Sequence, residues 1–268
     1  MGALLSQVSA TPAQLPPRIV VHGKGGSGKS TLGASLTNPI FLPAEEGLGV
    51  LKVAALPRPE SYIDVMNAIG ELANEKHDYR SLVVDTIDHV EPLVWAHTCQ
   101  EKAGTKNYTN IEDFGYGKGY TFANPYWISF FRALDQLRRQ GMTVCVLCHN
   151  EVKTISDPVL APYDTVQPKL HKHANALLYE WADVVGFLEV KRAALEKEGA
   201  RGRKVTTTTK MGGARVLHLE DTGGFEAKNR YGLPIEIDVP KDDPFGPLRG
   251  ALMTAMGIKP KKAKKGAA

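Results

Sequence analysis

The chain has 268 residues, 43% of them hydrophobic and 23% charged, with a formal net charge of +4. Those are ordinary values for a folded protein, so disorder throughout is excluded, and the length suits one α/β domain with embellishments better than two. The longest apolar runs, such as Val144 to Cys148, are far too short to span a bilayer, so no membrane segment is expected.

Met1 to Leu15 has no basic residue ahead of its Leu4-Leu5 pair and no apolar stretch of signal-peptide length, which points to a cytoplasmic address. Three cysteines suit reduced thiols rather than a disulfide framework. The spacing assigns residues 1–16 to a flexible N-terminus, 17–240 to a core domain and 241–268 to a C-terminal extension. The extension closes on Lys259 to Lys265, where five lysines in seven residues predict a disordered tail. Such a tail is either a solvated terminus or an arm for nucleic-acid phosphates.

Along the chain, Arg18 to His22, Pro39 to Pro43, Ser81 to Val84 and Met142 to Cys148 read as short apolar strands. Lys29 to Leu36, Glu60 to Ala73, Val90 to Lys102 and Pro125 to Arg139 carry helical patterns. Strand alternating with helix predicts a mostly parallel sheet covered on both faces, with ligands at the strands' carboxyl ends. Gly104 to Gly119 reads as a long polar loop carrying Tyr108, Phe114 and Tyr116, followed by Tyr120. Glu151 to Asn175 reads as a second loop, holding His171 and His173. Beyond Trp181, Val184 to Arg192, Lys204 to Lys210 and Arg215 to Glu220 predict an antiparallel extension of the sheet, with turns at Gly199 to Gly202 and Gly212-Gly213.

The first strand runs into Gly23-Lys24-Gly25-Gly26-Ser27-Gly28-Lys29-Ser30, which has the G-x-x-x-x-G-K-[ST] spacing of a phosphate-binding loop and continues into Thr31. Glycines let backbone N–H groups close around a β-phosphate because no Cβ obstructs them. Lys29 pairs with β and γ oxygens in such loops and Ser30 ligates Mg²⁺, so the pattern implies a nucleoside triphosphate and magnesium. The same residues also fit K-G-G-x-G-K-[ST], in which Lys24 reaches across a dimer in partitioning and nitrogenase-iron-protein ATPases.

Leu82-Val-Val-Asp85 is an apolar strand ending in the carboxylate expected to hold hydrated magnesium, although Asp85 or Asp88 could equally cap the next helix. The partitioning families place an Asp-rich D-x-D after their second strand, and Phe41-Leu-Pro-Ala-Glu45-Glu46-Gly-Leu48 has none. That segment resembles the F-I-D-A-E strand end of RecA-family recombinases, whose glutamate polarises the attacking water. Glu45 falls on that position, with Glu46 as an unresolved neighbour. His149-Asn150, after the strand ending at Cys148, lies where the same family places a γ-phosphate sensor and starts a DNA-binding loop. Ala227-Lys228-Asn229-Arg230-Tyr231-Gly232-Leu233-Pro234 resembles the A-K-x-R-x-G-P signature of RecA-type hexameric helicases. There the Lys and Arg reach the triphosphate held by the adjacent subunit, a contribution of about 10³ to 10⁵ in rate for a trans arginine.

In order and spacing these motifs resemble the phage RecA-like ATP-binding proteins of AAA type, whose best-known members form the Sak-four group of single-strand annealing proteins. The resemblance covers residues 17 to 240. It implies a RecA-like P-loop core, ATP and Mg²⁺ as cofactors, and single-stranded DNA as partner. It also implies a homo-oligomer, ring or filament, with sites between subunits, working in the bacterial host's cytoplasm during phage recombination or replication, with a single-strand-binding protein as a further partner. The catalytic set it implies is Lys29, Glu45, Asp85, His149, Lys228 and Arg230. Two other classes remain: a helicase or terminase-like motor of the same fold, and a partitioning ATPase that uses Lys24.

Candidate DNA platforms are Lys106, Tyr108, Phe114, Tyr116, Lys118 and Tyr120 in the first loop and Lys153, Lys169, His171, Lys172 and His173 in the second. His171-x-His173 lacks a third zinc ligand at persuasive spacing. Cys145-x-x-Cys148-His149 spells a haem-attachment pattern, but on a buried strand it reads as core thiols.

Overall fold

The computed structural model describes residues 14–104, 107–156, 161–198 and 204–258, with backbone alone over 192–198 and 204–212. It is an α/β fold with a mostly parallel central sheet, as the alternating strand and helix patterns predict. β1 (Arg18–His22) leads through the glycine loop into α1 (Lys29–Ala34), and β2 (Pro39–Pro43) is followed by the short β3 (Ala54–Ala55). Next come α2 (Tyr62–Asn74), β4 (Ser81–Asp85), α3 (Ile87–Lys102), α4 (Lys118–Arg139) and β5 (Thr143–Cys148). A hairpin of β6 (Asn150–Ile155) and β7 (Tyr163–Pro168) precedes α5 (Lys172–Trp181). The chain then forms β8 (Val184–Glu198), β9 (Lys204–His218), β10 (Lys228–Asn229), β11 (Glu236–Val239) and α6 (Gly246–Ala255).

The sheet order is β11-β9-β8-β1-β5-β4-β2-β3, parallel from β8 to β3 and antiparallel where β9, β10 and β11 join. The strands explain why they read as continuous apolar runs. Val20, Leu42, Val84 and Val146 face α2, α3, α4 and α5, while Val21, Phe41, Val83 and Leu147 face α1 and α6. A parallel strand buried on both faces has no polar side to alternate with. Burial of an aliphatic side chain contributes about 1.5–3 kcal/mol, so these two cores carry most of the fold's stability. At Gly33 a Cβ would come within 2.9 Å of Val83 Cγ1, so glycine lets α1 lie close on the sheet. The order sets β5 between β1 and β4, which brings the ends of all three to one edge.

Several expectations need correction. The polar loop expected at 104–119 ends early: residues 111–114 form a 3-10 turn, and α4 begins at Lys118. Gly117, at φ 69, starts that helix, and Pro125 lies inside it rather than at its first turn. The stretch 151–175 is not a loop. Its β6–β7 ladder pairs Asn150 with Pro168 through Ile155 with Tyr163, and α5 follows. Neither strand has a mostly apolar face, because the hairpin stands off the main sheet, so its period of two was hidden. The hairpin is tied down where Val166 N–H donates to Gly224 O (2.9 Å) and Glu226 N–H to Val166 O (2.8 Å). β8 and β9 run longer than the three short strands expected, with an irregularity between Val190 and Arg192.

In the C-terminal extension, Phe245, Leu248 and Leu252 are buried in the core under α1. Lys106, the turn at 199–202, most of the N-terminal segment and the Lys-rich tail lie outside the described residues. Among the described residues no helix is long and apolar enough to cross a membrane. Cys99, Cys145 and Cys148 are buried free thiols, and burial pushes the Cys145 thiol up to about 12, which agrees with a packing role.

Candidate active site at the carboxyl edge of the sheet

The phosphate loop leaves β1 at Gly23 and turns on two left-handed glycines, Gly26 (φ 75) and Gly28 (φ 103). A Cβ at Gly23 would stand 2.6 Å from the Leu188 carbonyl oxygen, and one at Gly28 would stand 2.7 Å from Arg215 Nε. Both positions therefore exclude a side chain for reasons of contact, and Gly28 also for backbone strain. Lys24, Gly25, Gly26 and Thr31 are exposed, whereas Ser27 and Lys29 are buried. Lys29 Nζ folds over the loop, donating to Gly23 O (2.8 Å) and Lys24 O (3.4 Å). Burial lowers its pKa, against the opposing pull of the Asp85, Glu45 and Asp88 carboxylates.

Asp85 ends β4 beside this lysine. Its carboxyl is buried, accepts a hydrogen bond from Ser30, and has one oxygen, Oδ1, with no partner. Burial raises its pKa, and Glu45 adds to that, while Ser30, Lys29 and His149 oppose. A buried carboxylate oxygen left unsatisfied beside a hydroxyl fits a hydrated divalent cation, so Ser30 and Asp85 are suited to hold Mg²⁺. Bound there, the ion would neutralise charge on a triphosphate.

Glu45, expected at the catalytic position, and its neighbour Glu46 point to different surroundings. Glu46 is almost fully exposed and pairs with Arg58 in solvent at 2.8 Å. Glu45 turns inward at the end of β2, with its Oε2 3.4 Å from His89 Nδ1 and 4.0 Å from His149 Nδ1. Pairing of β2 with β4 sets Pro43 opposite Asp85, and Ala44 N–H donates to Asp85 O at 2.8 Å, which fixes Glu45 beside the Asp85 carboxylate.

His149 ends β5 and is clamped twice by Asp88. Its backbone N–H donates to Asp88 Oδ1 and its ring Nδ1 meets Asp88 Oδ2, both at 3.0 Å. Burial alone would raise the Asp88 carboxyl, but the bonds from the His149 ring, the His149 N–H and Thr86 outweigh it and hold the group far below the usual carboxylate range. Asp88 does not cap α3, whose N-cap is Thr86.

Lys228 and Arg230 stand elsewhere. β10 pairs with Val184 and Val185, the first residues of β8, so both side chains lie at the amino edge of the parallel strands. Lys228 Nζ donates to Tyr179 O and Glu180 O, and lies 4.9 Å from the Tyr179 ring centroid. Arg230 pairs with Asp183 at 3.2 Å and is half exposed. Within one chain, neither joins the phosphate loop.

The expected aromatic platform is partly spent on packing. Tyr108 stacks on Phe114 with centroids 4.0 Å apart, and Tyr120 stacks on His171 at 3.6 Å, leaving Tyr116 fully exposed. His171 caps α5 by accepting from the His173 N–H. Lys153, Lys169 and Lys172, all exposed, line one hollow with Trp95, whose floor is Asp88 and Glu91.

Sequence reasoning missed His89 and Arg215. Val83-Val-Asp-Thr-Ile-Asp88-His89 carried a signal for the first, two titratable groups just past a strand end. Arg215 gave none: it reaches from β9 to donate to Ser27 O at 2.7 Å, across 188 positions of sequence. No curated protein matches this chain. A family model described as AAA domain matches residues 15–231, so a phosphate loop, a buried carboxylate at the end of β4 and an inward glutamate on one sheet edge sit in a chain that belongs to this AAA-type ATPase family.

Proposed function

We propose that the chain is an ATPase that binds ATP with Mg²⁺, assembles into a homo-oligomer, binds single-stranded DNA and pairs complementary strands in phage recombination or replication, with a single-strand-binding protein as a further partner. The loop amides and Lys29 hold the triphosphate, Ser30 and Asp85 hold the metal, and Glu45 orients the attacking water. His149, locked to Asp88, reports the γ-phosphate. Lys228 and Arg230 act on the site of the neighbouring subunit, since in their own chain they lie at the opposite edge of the sheet.

The observation that carries the DNA reading is the hollow of Lys153, Lys169 and Lys172, which shares Asp88 with the His149 clamp. The lining mixes these three exposed lysines and Trp95 with the carboxylates of Asp88, Glu91 and Glu151, and lysines beside an aromatic ring suit the phosphates and bases of a single strand. Contact there bears directly on the group that positions His149. The test is ATP turnover with and without single-stranded DNA while mass in solution is recorded, followed by annealing of labelled complementary strands. Stimulation together with assembly and annealing is expected. Turnover that ignores single strands, or duplex unwinding in place of annealing, would replace this reading with the motor. ATP-dependent dimers that depend on Lys24 would replace it with the partitioning ATPase.

Arg230→Ala is expected to spare nucleotide binding and lower turnover of the assembled protein by about 10³-fold or more. Loss of its half-exposed pair with Asp183 should cost under about 1 kcal/mol of stability, so the two roles separate.

A further inference from the structure

We propose that Glu45, His89 and His149 form a binding site for one transition-metal ion of the Zn(II), Co(II) and Ni(II) class, distinct from the Mg²⁺ position at Ser30 and Asp85. One carboxylate oxygen and one ring nitrogen from each histidine lie within 4.8 Å of one another. Glu45 Oε2 is 3.4 Å from His89 Nδ1 and 4.0 Å from His149 Nδ1. Ligands bonded at about 2.0–2.1 Å stand about 3.3 Å apart around a tetrahedral ion, so the Glu45–His89 separation already matches and His149 needs to move in by under about 1 Å toward Glu45. Two imidazoles with one carboxylate select this class, whereas Mg²⁺ prefers an all-oxygen shell.

Glu45 and His149 follow the ends of β2 and β5, both paired to β4 in the sheet, and His89 lies in the first turn of α3, which follows β4. His89 is 44% exposed, which opens the site to solvent. As the side chains stand, His89 Nδ1 meets Thr86 Oγ1 at 2.9 Å and His149 Nδ1 meets Asp88 Oδ2 at 3.0 Å. Ligation through Nδ1 requires each ring in its Nε2–H tautomer, so both bonds are exchanged for metal bonds. Asp88 Oδ2, 3.5 Å from His89 Nδ1, is then in place as a fourth ligand.

Occupation would take Glu45 away from water and block hydrolysis. That consequence rests on the proposed function, and the binding itself does not. Co(II) alone, titrated into the full chain without nucleotide, is expected to give a visible d–d absorption saturating at one equivalent and displaced by Zn(II). His89→Ala and Glu45→Gln, both at partly exposed positions, should each weaken binding by about tenfold or more with unchanged circular dichroism. His171→Ala, at the other histidine pair, should leave it unchanged. Absence of the absorption in the unaltered chain, or its persistence at full affinity in both His89→Ala and Glu45→Gln, overturns the site. Zn(II) bound as stated but without effect on turnover in Mg²⁺ would leave the metal site standing and remove Glu45 as the base.

Discussion

The two edges of the parallel sheet both carry charged groups and use them differently. At the amino edge Arg18, Arg138 and Arg230 share the carboxylates of Asp135 and Asp183. Arg18 makes a bidentate pair with Asp135 (2.8 and 3.0 Å), and Asp183 accepts from the Arg18 N–H (3.0 Å) and pairs with Arg138 (3.5 Å) and Arg230 (3.2 Å). At the carboxyl edge Asp85 keeps a bare oxygen, Ser27 Oγ has no partner, and Lys29 is held only by its own loop's carbonyls. A buried polar atom left unsatisfied costs about 1–3 kcal/mol, so the second arrangement is sustained at the expense of stability for a ligand. The contrast is local: Asp88 and His149 at the same edge are paired, and the unpartnered oxygens of Ser27 and Asp85 lie beside the phosphate loop.

Changes at the two edges should therefore have opposite signatures. The largest effect is expected from Glu45→Gln, which should lower ATP turnover by about 10²–10⁴-fold while denaturant midpoints stay near those of the parent. A fall in stability of comparable size would erase the contrast. Next is Asp183→Ala, which leaves Arg138 and Arg230 without their carboxylate and the Arg18 N–H without its acceptor, and should destabilise by about 3 kcal/mol, read by denaturant unfolding. Nucleotide binding to the remaining folded protein should be intact.

A third test uses pH. His22 is wholly buried, and burial pushes its pKa down to about 4, with Lys29 adding to the fall and the Glu226 carbonyl opposing it. The folded state then binds fewer protons than the unfolded state between pH 6.5 and about 4. Stability is full above the unfolded value and is lost as pH falls through that window, by about 2 kcal/mol from pH 7 to 5. His22→Gln should flatten that part of the slope. The smallest effect is expected from a helix cap: Ser61 accepts from Asp64 N–H in a capping box at the start of α2, and Ser61→Ala should cost about 1 kcal/mol without touching turnover.

Much of the core was legible because its signals are local. Val83-Val-Asp85 is apolar wherever both faces are covered and turns acidic where the strand ends, and the phosphate loop's glycines answer to conformational demands within eight residues. The hairpin at 150–168 was illegible because a two-stranded ribbon lying off the sheet has no apolar face to mark its period. The choice between Glu45 and Glu46 was equally hidden, since it depends on which carboxylate the β2–β4 register turns toward Lys29.

By itself, then, the sequence determined the strand–helix alternation, the phosphate loop with its lysine and serine, and the carboxylate that closes β4, because each is written in neighbouring residues. Only the tertiary structure decided that His89 and Asp88 gather around His149, that Arg215 braces the loop from β9, and that Lys228 and Arg230 stand across the sheet from the nucleotide site. Those relations depend on strand order, which sets β5 between β1 and β4 and carries β10 to the start of β8, and a linear chain does not display which strands will be neighbours.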